Sequence, residues 1–160
     1  MTLKINLDTK VVNNLDLVPA QTLIESLLKD RAIAAHEQQL QLAIDYEREA
    51  EDPRELSEIP EIRLWYVRLD AVYPWLPFLL DWQAGELARY AAMLVPHQFS
   101  RGEGIIYNPE ALEIFVMHKI FVLSTWLPQQ GIAPRSRLKS MAQMFGYEID
   151  DAFFESILTN

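Results

Sequence analysis

The chain has 160 residues, of which half are hydrophobic and 23% charged, a composition that predicts one globular domain spanning residues 1–160 and excludes a disordered chain. Its formal net charge of −9 opposes a phosphate backbone, whose neutralisation by Lys and Arg supplies most non-specific nucleic-acid affinity, so no nucleic-acid partner is expected. With no cysteine there are no disulfides and no thiolate ligands for an iron–sulfur cluster; no resident cofactor is expected, and any such cluster belongs to a partner.

The start, Met1-Thr2-Leu3-Lys4-Ile5-Asn6, has neither the basic residues and apolar run of a signal peptide nor the Arg/Ser-rich pattern of a transit peptide, which predicts a mature cytoplasmic start. Leu3, Ile5 and Leu7 alternate with polar residues, the period of an edge strand. From Pro19 to about Ala35, Leu23, Ile24, Leu27 and Leu28 recur at three- and four-residue spacing, which predicts an amphipathic helix with proline in its first turn. Leu40, Leu42 and Ile44 alternate again, predicting a strand that ends near Tyr46. Between Asp45 and Glu61 eight acidic residues face only Arg48 and Arg54, a composition suited to a solvated loop with a short helical turn.

Glu61 to Leu69 is ambiguous: Ile62, Trp65, Tyr66 and Leu69 suit a helix, while the density of Ile, Trp, Tyr and Val favours a strand. Asp70 is expected to cap a short helix through Leu80, and Asp81 a second through about Val95, in which Ala84, Leu87, Ala88, Ala91 and Leu94 would form the core face. Pro96 would end it. Gly102 to Tyr107 reads as a turn into a last strand.

Asn108-Pro109 is a strong helix start. The helix it opens runs to about Thr125 and is apolar nearly all round, which places it at the centre of the core. Pro128 to Pro134 is a linker, followed by helices at Ser136–Phe145, with Gly146 as C-cap, and Asp150–Leu158. The apolar stretch Ala71–Leu80, broken by Pro74 and Pro77, is about half of the ~20 residues a membrane-spanning helix needs, so no transmembrane segment is predicted. The expected class is α+β, a small sheet of three to four strands with more helix than strand and one central apolar helix.

Catalytic patterns are scarce. His36, His97 and His118 are scattered without a metal-binding spacing, so no metal is expected. There is no Gly-x-Ser-x-Gly elbow. Gly102-Glu103-Gly104 lacks the third glycine of a dinucleotide loop. Carboxylate pairs such as Glu58 with Glu61, or Asp70 with Asp81, are uninformative in so acidic a chain. The last two helices have the outline of a helix-turn-helix, with Arg135, Arg137 and Lys139 preceding the turn. Asp150, Asp151 and Glu155 in the second carry the wrong sign for DNA, so the pair reads as a closing hairpin with a modest basic patch opposite the acidic loop. No catalytic residue is assigned.

The block from Pro53 to Phe99 stands out, with three of the four tryptophans and five of the nine prolines. Its aromatics fill a core, or they join arginines in a stiffened surface of the kind enriched at interface hot spots, and both roles can hold at once. Arg63, Trp65, Arg68, Trp75, Trp82 and His97 are the candidate partner-binding residues.

Read in full, Asp52-Pro53-Arg54-Glu55-Leu56-Ser57-Glu58-Ile59-Pro60-Glu61-Ile62-Arg63-Leu64-Trp65, then Arg68-Leu69-Asp70-Ala71-Val72-Tyr73-Pro74-Trp75-Leu76-Pro77 and Leu80-Asp81-Trp82 through His97-Gln98, the block resembles the chlororespiratory reduction six family. The resemblance extends more loosely through Tyr107-Asn108-Pro109 to Phe115-Val116-Met117. It implies a non-enzymatic assembly factor or chaperone of the photosynthetic NAD(P)H dehydrogenase-like complex. The implied partner is the ferredoxin-like iron–sulfur subunit of the peripheral arm. A cyanobacterial-type member would work in the cytoplasm, at the thylakoid periphery during assembly. Two other classes compete: an enzyme using Glu58 or Asp70 with His97 on a small molecule, and a stable accessory subunit of a membrane-bound complex.

Overall fold

The computed structural model describes residues 2–158. Strand β1, Leu3–Asp8, pairs in parallel with β2, Leu40–Asp45, in the register Leu3↔Leu40 to Asp8↔Asp45. Parallel strands need a long crossover, supplied here by α1, Thr9–Asn13, and α2, Val18–Lys29. Ile5, Leu7, Leu40 and Leu42 turn to one side and are buried, as their period of two requires. Leu80 adds an isolated parallel bridge beside Leu40. Helix α2 ends earlier than the apolar spacing suggests, because Arg31 takes a positive φ of 53° and the chain resumes only as a 3-10 turn at Ala34–His36.

The acidic segment is a loop with a 3-10 turn at Leu56–Glu58, closed by a capping box between Glu55 and Glu58. The strand expected over Glu61–Leu69 is not formed. Instead, residues Pro60–Val72 make helix α3, with proline in its first turn. Ile62, Trp65, Tyr66 and Leu69 occupy its buried side, so the helical spacing prevails over the strand preference of the aromatics, which is itself a packing preference. Asp70 therefore lies inside a helix and caps nothing; Leu76–Phe78 is a 3-10 turn.

Asp81 accepts a hydrogen bond from the Ala84 amide (3.0 Å) and caps a turn, while helix α4 begins later, at Glu86–Leu94, after Gly85 in the left-handed region. Its buried side is Leu87, Tyr90, Ala91 and Met93, whereas Ala84 and Ala88 are exposed. The expected alanine face is thus displaced by the large side chains around Tyr90. Strands β3, His97–Ser100, and β4, Gly104–Tyr107, form an antiparallel hairpin separate from the first ladder.

Asn108 caps helix α5, Pro109–Gln129, through the Ala111 amide (3.0 Å). The helix runs past the expected end and takes in Pro128, since Trp126 stacks on Trp75 and Leu127 is fully buried. By length and composition α5 could cross a bilayer. In the fold it buries the stripe Val116, Lys119, Ile120, Leu123 and Leu127 and leaves Ile114 and Phe121 exposed. Apolarity all round has not brought burial all round, and the helix is not enclosed at the centre of the core.

Helix α6, Arg135–Met144, ends in a Schellman motif, with the Gly146 amide on the Gln143 carbonyl and the Tyr147 amide on the Ala142 carbonyl. Asp150 caps α7, Asp151–Leu158, through the Phe153 amide. The expected basic patch is largely neutralised: Arg137 binds Glu37 at 2.7 and 3.0 Å, and Lys139 binds Asp151 at 2.7 Å. The whole is α+β with more helix than strand, its four described strands split into two ladders. The buried residues form a core cluster drawing on all seven described α-helices and both strands of the parallel ladder but not on the β3–β4 hairpin.

Candidate functional site

The tryptophans of the Pro53–Phe99 block hold the frame. Trp65 is fully buried, donates its indole N–H to the Asp16 carbonyl (2.8 Å) and meets Tyr66 edge-on at 5.5 Å. Trp75 is also in the core, with its ring parallel to that of Trp126 at 4.1 Å. Trp82 is half-buried and donates to the Pro77 carbonyl (2.8 Å). Arg63 reaches across to the Met93 carbonyl (3.2 Å), tying α3 to α4.

Arg68 is different. It is exposed and has no ion-pair or hydrogen-bond partner among the described residues. Around it on α3, Leu64, Val67 and Val72 are each nearly half exposed, with Ala71 between them. At 3.6 residues per turn these five positions share an arc of about 140° opposite the core side. A surface helix ordinarily carries charged residues all along that side; this one carries an apolar stripe with one cation in it, Arg68, and one carboxylate, Glu61, at its N-terminal end. Had Glu61–Leu69 been read as helix, the spacing of Leu64, Val67 and Ala71 would have disclosed the stripe.

His97 begins β3 on the other side of the block. Its Nδ1 lies 2.9 Å from the Val95 carbonyl and its Nε2 lies 3.0 Å from the Ser57 hydroxyl. A carbonyl only accepts, so Nδ1 carries a proton, and in the neutral ring Nε2 then accepts from the Ser57 hydroxyl. Phe99 and Tyr107 pack edge-on against the ring. The pair fastens the 3-10 turn of the acidic loop to the β3–β4 hairpin. No sequence signal pointed to Ser57, which is 40 positions from its partner and nearly buried.

The carboxylates considered as partners of His97 in catalysis lie elsewhere. Glu58 is turned back onto the Glu55 amide (2.6 Å), and Asp70 is bound by Lys119 and the Tyr90 hydroxyl. The cleft of about 320 Å³ beside His97 is lined by Pro96, Gln98, Ile106, Tyr107 and Asn108 and contains neither carboxylate.

Two buried charges also lie in this region, neither of them marked by any pattern in the sequence. Lys119, on α5, is almost fully buried; it binds Asp70, donates to the Pro74 carbonyl (2.9 Å), and lies over the rings of Tyr90 (5.7 Å) and Phe115 (5.8 Å). Burial lowers its pKa, and Asp70 works against that shift. The Tyr90 hydroxyl is pushed well above its ordinary range by burial and then by Asp70.

Glu86, the first residue of α4, is 6% exposed, and its Oε2 has no hydrogen-bond partner among the described residues. Burial raises its pKa, offset in part by Arg89 at 3.6 Å and by the Leu42 amide. The folded chain thus holds this proton more tightly than an unfolded chain, where the carboxyl keeps its ordinary value of 4.5. Its contribution to stability is full below that value and is lost as pH rises through the raised folded pKa. Glu86→Gln, neutral throughout, should therefore gain on the wild type by about 1 kcal/mol or more between acid and neutral pH. Urea denaturation at several pH values measures the gap; a gap independent of pH would show that ionisation of Glu86 is not its source.

The family model described as Chlororespiratory reduction 6 matches residues 7–156, from the end of β1 into α7. No solved structure matches the chain.

Proposed function

The chain belongs to the chlororespiratory reduction 6 family, and from that membership we propose that it is a non-enzymatic assembly factor of the photosynthetic NAD(P)H dehydrogenase-like complex. In this reading it acts as one folded unit in the cytoplasm, at the thylakoid periphery when needed. It holds the ferredoxin-like iron–sulfur subunit of the peripheral arm while clusters are inserted or while that subunit docks onto its neighbours.

The observation that supports a binding role is the outward face of α3, where Leu64, Val67, Ala71 and Val72 surround an unpaired Arg68. Apolar stripes of this kind, with an arginine among them, mark protein contacts more often than bare solvent faces. Trp65 and Tyr66 brace the helix from beneath, so the stripe is pre-organised and loses little entropy on binding. Of the six residues singled out from sequence, Arg68 has the most direct access to a partner through this face, and Trp65 and Trp75 would act by supporting it.

The test is recovery of the tagged chain from cells. It should bring down the iron–sulfur subunit together with incomplete peripheral arms, and a deletion strain should hold less of the complete complex and accumulate early intermediates. Normal complex levels in the deletion strain would refute the reading. Recovery chiefly with the finished complex would make the chain an accessory subunit instead.

A further inference from the structure

Where the chain turns from α6 into α7, a notch of about 190 Å³ opens against α5. It is lined by Val116, Met117, Tyr147 and Ile149, with Glu113 and Glu148. The first four are buried or half-buried, and both carboxylates are exposed. The walls are firmly set: the Schellman turn at Gly146 and the Asp150 cap fix the segment between them, and Phe145 packs edge-on against Phe115 of α5.

Neither Glu113 nor Glu148 has an ion-pair or hydrogen-bond partner among the described residues. Of the α6 cations, Arg137 and Lys139 are engaged by Glu37 and Asp151, and Arg135 stands exposed at the helix start, the end away from Gly146. Next to these elements in sequence, Ile114 is 70% exposed and Met144 is 45% exposed.

We propose that this notch seats one arginine side chain of a protein partner, with the stem on the apolar floor and the guanidinium held by Glu113 and Glu148. The chemistry selects the occupant. A wholly apolar side chain would desolvate two carboxylates and pair neither, and an acidic one would be repelled. Arginine and lysine have an apolar stem and a cationic head; the guanidinium is more weakly hydrated and has donors enough for both carboxylates. Pockets for small molecules run from roughly 300 Å³ upward, so a notch of this size suits a side chain rather than a cofactor. The chain's net charge of −9 would also speed the approach of a basic segment.

The proposal rests on the reading of the chain as a protein binder, and the notch is separate from the α3 face. The first test is an NMR titration of the full chain with Nα-acetyl-arginine amide, against the citrulline amide, its uncharged isostere, and the norleucine amide, which supplies an apolar stem alone. The arginine compound should shift the Met117 methyl and the Tyr147 and Ile149 amides, at least about tenfold more tightly than the other two. A Glu113→Gln, Glu148→Gln double variant, with its spectrum otherwise unchanged, should lose the response. Equal responses to the three probes, or arginine shifts confined to other regions, would overturn the proposal.

The second test places Glu113→Lys and Glu148→Lys together in the tagged chain. If the wild type recovers the peripheral-arm subunit, the folded variant should recover at least about tenfold less. Unchanged recovery by the variant overturns the notch and leaves the assembly reading standing. Failure of the wild type itself to recover that subunit counts against the assembly reading, and the titration still decides the notch.

Discussion

Asp70→Asn should cost the fold about 3 to 5 kcal/mol, whereas Lys119→Met, which removes the other member of the same ion pair, should cost far less. The asymmetry follows from burial. The Lys119 side chain is 1% exposed and that of Asp70 is 22% exposed. With Asp70 neutralised, the ammonium is left in the core with the Pro74 carbonyl and two ring faces, which do not replace a counter-charge. With Lys119 replaced by methionine the volume is nearly kept, water still reaches the remaining carboxylate, and the Tyr90 hydroxyl continues to donate to it.

The lysine can escape its predicament only by giving up its proton. Burial already lowers its pKa, so the Asp70→Asn deficit should shrink on going from neutral pH to about pH 10, because the unfolded chain still holds the proton there. Urea denaturation at both pH values measures this. Equal costs for the two substitutions, or a deficit that grows with pH, would mean that the pair does not hold α3 to α5 through its charges.

Leu64→Glu combined with Val67→Glu should leave stability within about 0.5 kcal/mol of wild type, since both side chains stand nearly half exposed. If the chain captures the iron–sulfur subunit as proposed, that capture should nevertheless weaken by about thirtyfold or more, the loss expected when the apolar centre of an interface is filled with charge. Trp65→Ala gives the contrasting outcome. It should destabilise the fold by about 3 to 5 kcal/mol and lose the partner only because the helix beneath the stripe is lost. A folded double variant that still captures the subunit at wild-type affinity would remove α3 from the interface.

The elements that were legible in the sequence are those whose signals close within a few residues. Alternation of Leu3, Ile5 and Leu7, and of Leu40 and Leu42, marked both strands of the parallel ladder. Asn108-Pro109 marked the start of α5, and Gly146 and Asp150 marked the end of α6 and the start of α7. Each depends on one periodicity or on a backbone amide and its nearest available acceptor, so the residues that encode it are neighbours in the chain. Family membership belongs with these, because the resemblance is carried by three closely spaced runs of residues between Asp52 and Gln98.

The tertiary structure decided the rest. Whether Glu61–Leu69 coils or extends depends on what Trp65 and Tyr66 pack against, and Trp65 is anchored 49 positions away at Asp16. The division of the tryptophan block into frame and surface follows from that choice. Ser57 with His97, Lys119 with Asp70, and the notch between Glu113 and Glu148 join residues separated by 35 to 49 positions. Such pairings carry no local signature, because the energy that makes them is burial and charge compensation between elements that meet only once the core has closed.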